Sequence, residues 1–127
     1  MKIRNTTCID EGYVKIILTG KMAFRDCKSF IHILIDNYKS MKDLPVFIDM
    51  QGVECDINLF EIFGIAKYVT SFQYKPLNRI YIVVSDGRSL VMGRFVQECL
   101  SSRGVDIRVS SRMAEVNEWL SHSICRE

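Results

Sequence analysis

The apolar residues change their spacing several times along the chain, and each spacing predicts one kind of element. Residues 13–19 alternate between apolar and polar side chains, which is typical of a half-buried strand. Residues 3–9 precede them across a turn signal at residues 10–12. The opening segment is therefore predicted to be a β-hairpin, which Gly20 closes.

Four stretches with apolar residues three and four positions apart predict amphipathic helices. They are residues 24–41, 59–74 and 88–102, and a segment that begins near residue 111 and buries Met113, Val116 and Leu120 beside Trp119. Gly104 is suited to end the third helix, because glycine readily adopts the left-handed conformation that follows many helices.

Short apolar runs between these helices predict the remaining strands. Residues 45–50 and 79–85 are almost continuously apolar, as in buried strands, whereas residues 105–110 alternate. The predicted order is β-β-α-β-α-β-α-β-α, and strands that alternate with helices pair mainly in parallel through right-handed crossovers. The sequence thus predicts one α/β domain over residues 1–127, with a mixed, mainly parallel sheet of about five strands and about four helices.

Composition argues against several classes of function. The net charge of +2 is small and the lysines and arginines are scattered, which is atypical of proteins that bind nucleic acid or a membrane surface. The N-terminus has no apolar signal region, and the longest apolar run, residues 80–84, is far shorter than the roughly 20 residues of a membrane span. We therefore expect a cytoplasmic protein.

The sequence also lacks the spacings of common metal and cofactor sites. Its five cysteines include no CxxC pair, so we expect them to act as small apolar residues in a reducing compartment. Neither a phosphate loop nor a GxSxG element occurs. His32 and His122 lie on predicted helices among polar neighbours, without a nearby Cys, Asp or Glu at ligand spacing, so both are expected to be solvated. We expect no metal and no cofactor.

Four segments together resemble a known superfamily. They are the hairpin that ends in Leu18-Thr19-Gly20, the strand at residues 44–50, the strand at residues 79–84, and the strand at residues 105–109 before a helix with Trp119 and Leu120. This arrangement resembles the STAS superfamily (sulfate transporter and anti-sigma-factor antagonist domains), in particular its small stand-alone SpoIIAA-like bacterial proteins. The resemblance extends over nearly the whole chain and implies that fold.

The resemblance also directs attention to the loop after the central strand. In the anti-sigma-factor antagonists this loop carries a phosphorylatable serine in an Asp-Ser-Ser/Thr-Gly type motif, which caps the next helix and operates a partner-binding switch. The matching stretch here keeps Asp56 but has Ile57 and Asn58 in place of the hydroxyl, and asparagine cannot accept a phosphoryl group. The resemblance therefore implies a partner-binding scaffold at Asp56 and Asn58, and the missing hydroxyl argues against the switch. Both residues are equally suited to plain helix capping, and Glu61 completes the spacing of a capping box with Asn58.

The second predicted helix is apolar on two sides. Its predicted core face is Leu59, Ile62, Phe63, Ile65, Ala66 and Val69, and a second stripe at four-residue spacing is Phe60, Gly64, Tyr68 and Phe72. A helix that is apolar on two sides is covered on both. Our hypothesis is that the second stripe binds a protein partner, most simply a second copy in a symmetric homodimer. Two alternatives are that the stripe is intramolecular core, and that Phe60, Tyr68 and Phe72 line the pocket of a carrier for a small apolar ligand or lipid.

Two further positions could carry chemistry. Asp86, Gly87 and Arg88 follow a strand and open a helix, a place that can hold an anion, although capping by Asp86 with a turn at Gly87 explains them more simply. Asp49 is a carboxylate within an apolar strand, and it is either a site residue or bonded to a loop amide near the strand end. An enzyme that uses Asp49 and Asp86 is the third hypothesis. The leading expectation is a non-enzymatic protein-interaction or regulatory module.

Overall fold

The computed structural model describes residues 2–8, 11–41, 44–71 and 79–124. These residues form five strands and four helices in the predicted order: β1 (Lys2–Cys8), β2 (Tyr13–Ala23), α1 (Phe24–Met41), β3 (Val46–Asp56), α2 (Leu59–Thr70), β4 (Ile80–Val84), α3 (Arg88–Ser101), β5 (Ile107–Ser110) and α4 (Met113–Ile124). The predicted α/β class and the predicted order are confirmed. No helix within the described ranges is long and apolar enough to cross a bilayer.

The strands lie in the sheet in the same order as in the chain. β1 pairs antiparallel with β2, and β3, β4 and β5 follow as parallel neighbours. The hairpin turn needs Gly12, whose φ of 85° is in the region that side chains disfavour. Each parallel step passes through one helix, as parallel pairing requires. The predicted mixed, mainly parallel sheet is therefore correct.

β2 and β3 are longer than the sequence pattern predicted. β2 continues to Ala23 and β3 to Asp56, and the two pair with each other along this extension after a register shift between Ile17 and Thr19. β4 pairs with β3 only as far as Met50. The last part of β3 therefore projects beyond β4 as a two-stranded ribbon with β2, and the loop into α2 lies at its end.

The helices divide between the two faces of the sheet. α1, α2 and α3 pack on one face, where they enclose the larger apolar core. α4 packs on the other face, where Val116 and Leu120 contact Phe47, Tyr81 and Val83. The Trp119 ring lies 5.9 Å from the Tyr81 ring, so its predicted place beside the fourth helix's core residues is confirmed.

A buried hydroxyl pair fixes α4 to the sheet and leads to a stability prediction. The Tyr81 and Ser123 hydroxyls are hydrogen-bonded, and both residues are buried. Tyr81→Phe removes the tyrosine hydroxyl, so the buried Ser123 hydroxyl loses this hydrogen bond in apolar surroundings. We expect the unfolding free energy to fall by about 1–2 kcal/mol. Adding Ser123→Ala should recover part of that loss, and urea denaturation of both single variants and the double variant measures the coupling. Additive losses would contradict a direct bond.

Candidate functional site

The first turns of α2 expose a group of apolar side chains next to α3. The exposed fractions are 50% for Leu59, 87% for Phe60 and 53% for Phe63, and Val91 on α3 is 67% exposed. The Phe63 ring packs edge-on against Phe95 at 5.4 Å between centroids. Val91 lies one turn before Phe95 on the same side of α3, which places it next to the contact between Phe63 and Phe95. We call Leu59, Phe60, Phe63 and Val91 the α2–α3 apolar surface.

This arrangement corrects the predicted core face of α2. Ile62, Ile65, Ala66 and Val69 are buried as predicted, but the assignment of Leu59 and Phe63 to the core was wrong. The reason lies in the long ribbon of β2 and β3. Since β3 continues past the end of β4, α2 begins beyond the end of β4. The first turn of α2 therefore has less sheet beneath it.

The second predicted stripe of α2 does not form one surface. A side chain at Gly64 would meet the Phe24 ring of α1, with the ideal Cβ position 3.1 Å from Phe24 Cζ. Lys28 Nζ lies 5.0 Å from the Tyr68 ring centroid. The middle of the stripe is thus covered by α1, whereas Phe60 is open and belongs to the α2–α3 apolar surface. Phe72 lies outside the described residues.

The loop before α2 is held by a capping box, as the sequence predicted. Asn58 Oδ1 accepts a hydrogen bond from the Glu61 amide at 2.9 Å, and the Asn58 amide donates to Glu61 Oε1 at 3.0 Å. Ile57, which belongs to this loop, has a buried side chain. These bonds satisfy two backbone donors that the helix start leaves open, and they fix the direction in which Leu59 and Phe60 point.

The box gives a prediction with a matched control. Asn58→Ala removes the acceptor for the Glu61 amide, and we expect a loss of about 1 kcal/mol in unfolding free energy. Asn58→Asp keeps the acceptor and adds a charge that the helix start favours, so it should remain within a few tenths of a kcal/mol of the parent. Chemical denaturation measures both. Equal decreases in unfolding free energy in the two variants would mean that the side-chain hydrogen bond from residue 58 contributes little.

The predicted anion site at the start of α3 lies against this same loop. Arg88 Nη2 donates a hydrogen bond to the Ile57 carbonyl oxygen at 3.3 Å. The N-cap of α3 is Gly87, with φ of 84° and no side-chain cap hydrogen bond, so the interpretation that Asp86 caps this helix was wrong. The fold therefore brings the 56–58 loop and the 86–88 turn together at one end of the molecule.

Charged residues of both signs are near neighbours in sequence of the α2–α3 apolar surface: Asp56 precedes Leu59 by three positions, and Arg88 and Arg94 flank Val91 on α3. Asp56 forms an exposed ion pair with Lys21 at 3.7 Å, and the side chains of Arg88 and Arg94 on α3 are also exposed. Such an exposed pair adds little to stability, because water screens it.

The other chemical candidates are explained by local contacts. Asp49 Oδ1 accepts a hydrogen bond from the Gln51 amide at 3.0 Å, which confirms a backbone-bonded carboxylate, although the amide belongs to β3 itself because that strand continues. His32 lies 3.5 Å from Asp36, and His122 lies 4.0 Å from Glu118. Both histidines are exposed as expected, but the expectation of no nearby carboxylate was wrong. Among the described residues, no three His, Cys, Asp or Glu side chains group as metal ligands.

A second feature of the molecule is an apolar cavity between the sheet and helices α1–α3. Its volume is about 140 Å³, and its walls come from β2 to β5 and the three helices. Protein interiors are normally filled to the density of organic crystals. Unfilled apolar space of this size is therefore a distinctive feature of the packing between the sheet and the helices. Sequence reasoning could not have found it, because the lining residues are ordinary core residues.

Two of the three described free cysteines line this cavity. Burial raises the pKa of the Cys27 thiol from 9.0 to about 12, with smaller contributions from Cys55 and Asp26. Burial also raises the pKa of Cys55, although the Ile57 backbone and Arg88 oppose that shift. Both groups are therefore neutral thiols at physiological pH, which agrees with the expectation that they act as small apolar residues.

Comparisons with known proteins bear on the fold. No protein-family model and no curated protein matches the sequence. A solved structure does match: an uncharacterized protein from the DUF3478 family of Shewanella loihica PV-4, with a SpoIIAA-like fold. The two are 15% identical and superimpose with a TM-score of 0.59 over 94% of this chain and 92% of that one. With the strand order and the helix placement described above, this likeness establishes that the chain has the SpoIIAA-like fold.

Proposed function

We propose that this chain is a non-enzymatic interaction module whose α2–α3 apolar surface binds a second copy of the chain. The observation that carries the proposal is the 87% exposure of Phe60 beside Leu59, Phe63 and Val91. Large apolar residues exposed singly are common, but a contiguous group of them marks an interaction surface.

The extent of the surface supports a specific contact. From the exposed fractions of its four side chains, the apolar area is roughly 400 Å². A stable interface buries about 800 Å² on each partner, with an apolar centre and a polar rim. The α2–α3 apolar surface has the size of such a centre, and Phe60 lies in it as an aromatic anchor.

The distribution of charge favours a second copy as the occupant. In a two-fold contact the same surface meets itself, so its rim must carry both signs of charge if the copies are not to repel. Asp56, which pairs with Lys21, lies three residues before Leu59, and Arg88 and Arg94 flank Val91 on α3. A two-fold axis near Phe60 can therefore oppose acidic Asp56 to a basic side chain of the other copy.

The position of the surface agrees with the resemblance to the anti-sigma-factor antagonists. In those proteins the loop before this helix operates a partner-binding switch, and here the corresponding residues lead directly into Leu59 and Phe60. Asn58 occupies the cap and has no hydroxyl to modify. We infer a contact that is independent of phosphorylation at this position.

The test is the concentration dependence of molecular mass. The chain has a mass of 14.7 kDa, so light scattering should give about twice that value as the concentration rises into the micromolar to millimolar range. Amide chemical shifts followed over the same dilution series should change first around Leu59, Phe60 and Val91. A mass that stays monomeric to millimolar concentration would rule out the second copy and leave a different protein as the occupant to seek.

A further inference from the structure

We propose that the cavity between the sheet and helices α1–α3 is a binding site for a small uncharged aromatic molecule of about six to eight non-hydrogen atoms. This site is separate from the α2–α3 apolar surface and does not depend on the proposed self-association. Neither Phe60 nor Tyr68 lines it, so it also differs from the carrier pocket that the sequence suggested.

The burial pattern of β4 agrees with unfilled space on this face of the sheet. Ile82 lies in β4, between Ile48 of β3 and Val109 of β5 in register. Both neighbours are only 2% exposed, yet Ile82 is less than fully buried although it lies between them. Its accessible surface faces the cavity that it lines. The unfilled space beside Ile82 is therefore room that a ligand can occupy.

The size of the cavity limits the ligand. About 140 Å³ is below the 300–1,000 Å³ of sites for drug-sized molecules and far below the volume of a lipid chain. Dry apolar cavities of about 150 Å³ are known to take up benzene. The ligand is therefore one small ring with at most a short substituent.

The lining indicates which chemistry the ring should have. Among the described residues of the wall, none is charged and Ser89 alone has a hydroxyl, so a charged ligand would lose its hydration without replacement from them. Five sulfur-containing side chains from both layers line the cavity: Met22, Cys27, Met50, Cys55 and Met92. Sulfur makes favourable contacts with aromatic rings, and methionine adapts its shape to irregular ligands. Both properties favour an aromatic over an aliphatic occupant.

The experiment uses benzene as the probe, with thermal unfolding and NMR as readouts. At ten times its dissociation constant, benzene should raise the Tm by about 5 °C. The ring current should also shift the ε-methyl signals of Met22, Met50 and Met92, whereas that of Met113, which begins α4 on the opposite face of the sheet, should stay constant.

Filled and unfilled variants locate the binding. Cys27→Leu and Ile82→Phe add volume to the cavity wall, so each should lose most of the benzene-dependent Tm shift. Ile33→Ser removes exposed apolar surface on α1, outside both the cavity lining and the α2–α3 apolar surface, and should keep the full shift. No Tm shift and no methionine methyl shift in the unaltered chain would overturn the proposal, as would an undiminished shift in both filled variants. The methyl signals decide the question even if neither filled variant folds.

Discussion

Replacing Phe60 with aspartate should convert the associated protein into a monomer without unfolding it. The Phe60 side chain is 87% exposed in the single chain, so the substitution removes almost no intramolecular packing. In a two-fold contact, however, the change places two unpaired carboxylates at the centre of the apolar area. Central aromatic anchors contribute about 2 kcal/mol or more to binding, so the dissociation constant should rise by at least about 30-fold. Sedimentation equilibrium of both proteins measures this change.

Ile33 provides the control for this prediction. It is also an exposed apolar residue, at 43%, but it lies on α1, outside the α2–α3 apolar surface. Ile33→Asp introduces the same charge at another exposed apolar position, and we expect no change in the dissociation constant. Circular dichroism and the unfolding midpoint establish that both variants are folded. An unchanged mass for a folded Phe60→Asp, or an equal effect of Ile33→Asp, would reject the α2–α3 apolar surface as the contact.

The sequence predicted the architecture because apolar spacing reports directly on which elements form. Buried and less buried residues alternate in β2 as the apolar pattern predicted, and the stretches with three-and-four spacing form helices. Asn58 and Glu61 form the predicted capping box. The extension of β2 and β3 escaped prediction, because it contains Gly20, Gly52 and several polar residues that resemble a loop. Only the pairing of two strands that are distant in sequence makes this ribbon regular.

The candidate site was predicted less completely, for the same physical reason. Phe60 was singled out from the two-sided pattern of α2, but the exposure of Leu59 and Phe63 depends on where the sheet ends beneath the helix. Val91 joins the surface through the packing of α3 on α2, which no local pattern reports. The bond from Arg88 to the Ile57 carbonyl joins positions 31 residues apart. Local periodicity indicates whether a residue is apolar, and tertiary packing decides whether it is covered.

Cys27 should react with iodoacetamide about 1,000-fold more slowly in the native protein than in the unfolded chain at pH 8. The thiolate is the reactive form, and a pKa of about 12 instead of 9.0 lowers the thiolate fraction at this pH by about that factor. Mass spectrometry after timed alkylation, with and without urea, measures the ratio for each peptide. Cys55 is the internal comparison: its pKa is also raised but it is less enclosed, so it should react before Cys27. Equal native rates for the two thiols would contradict the burial of Cys27.

The same shift predicts how stability depends on alkaline pH. The folded-state pKa of Cys27 lies above the unfolded value, so its contribution is fully present below pH 9.0 and is lost as the pH rises towards 12. From pH 8 to pH 10 this single group should lower the unfolding free energy by about 1.4 kcal/mol. Cys27→Ala lacks the thiol, so between these pH values its unfolding free energy should fall about 1.4 kcal/mol less than that of the parent. Urea denaturation at pH 8 and pH 10 measures both decreases. Other thiols and tyrosines titrate in both proteins, so the difference between the two proteins isolates Cys27. Equal decreases in unfolding free energy would mean that this thiol ionises in the folded protein as readily as in the unfolded chain.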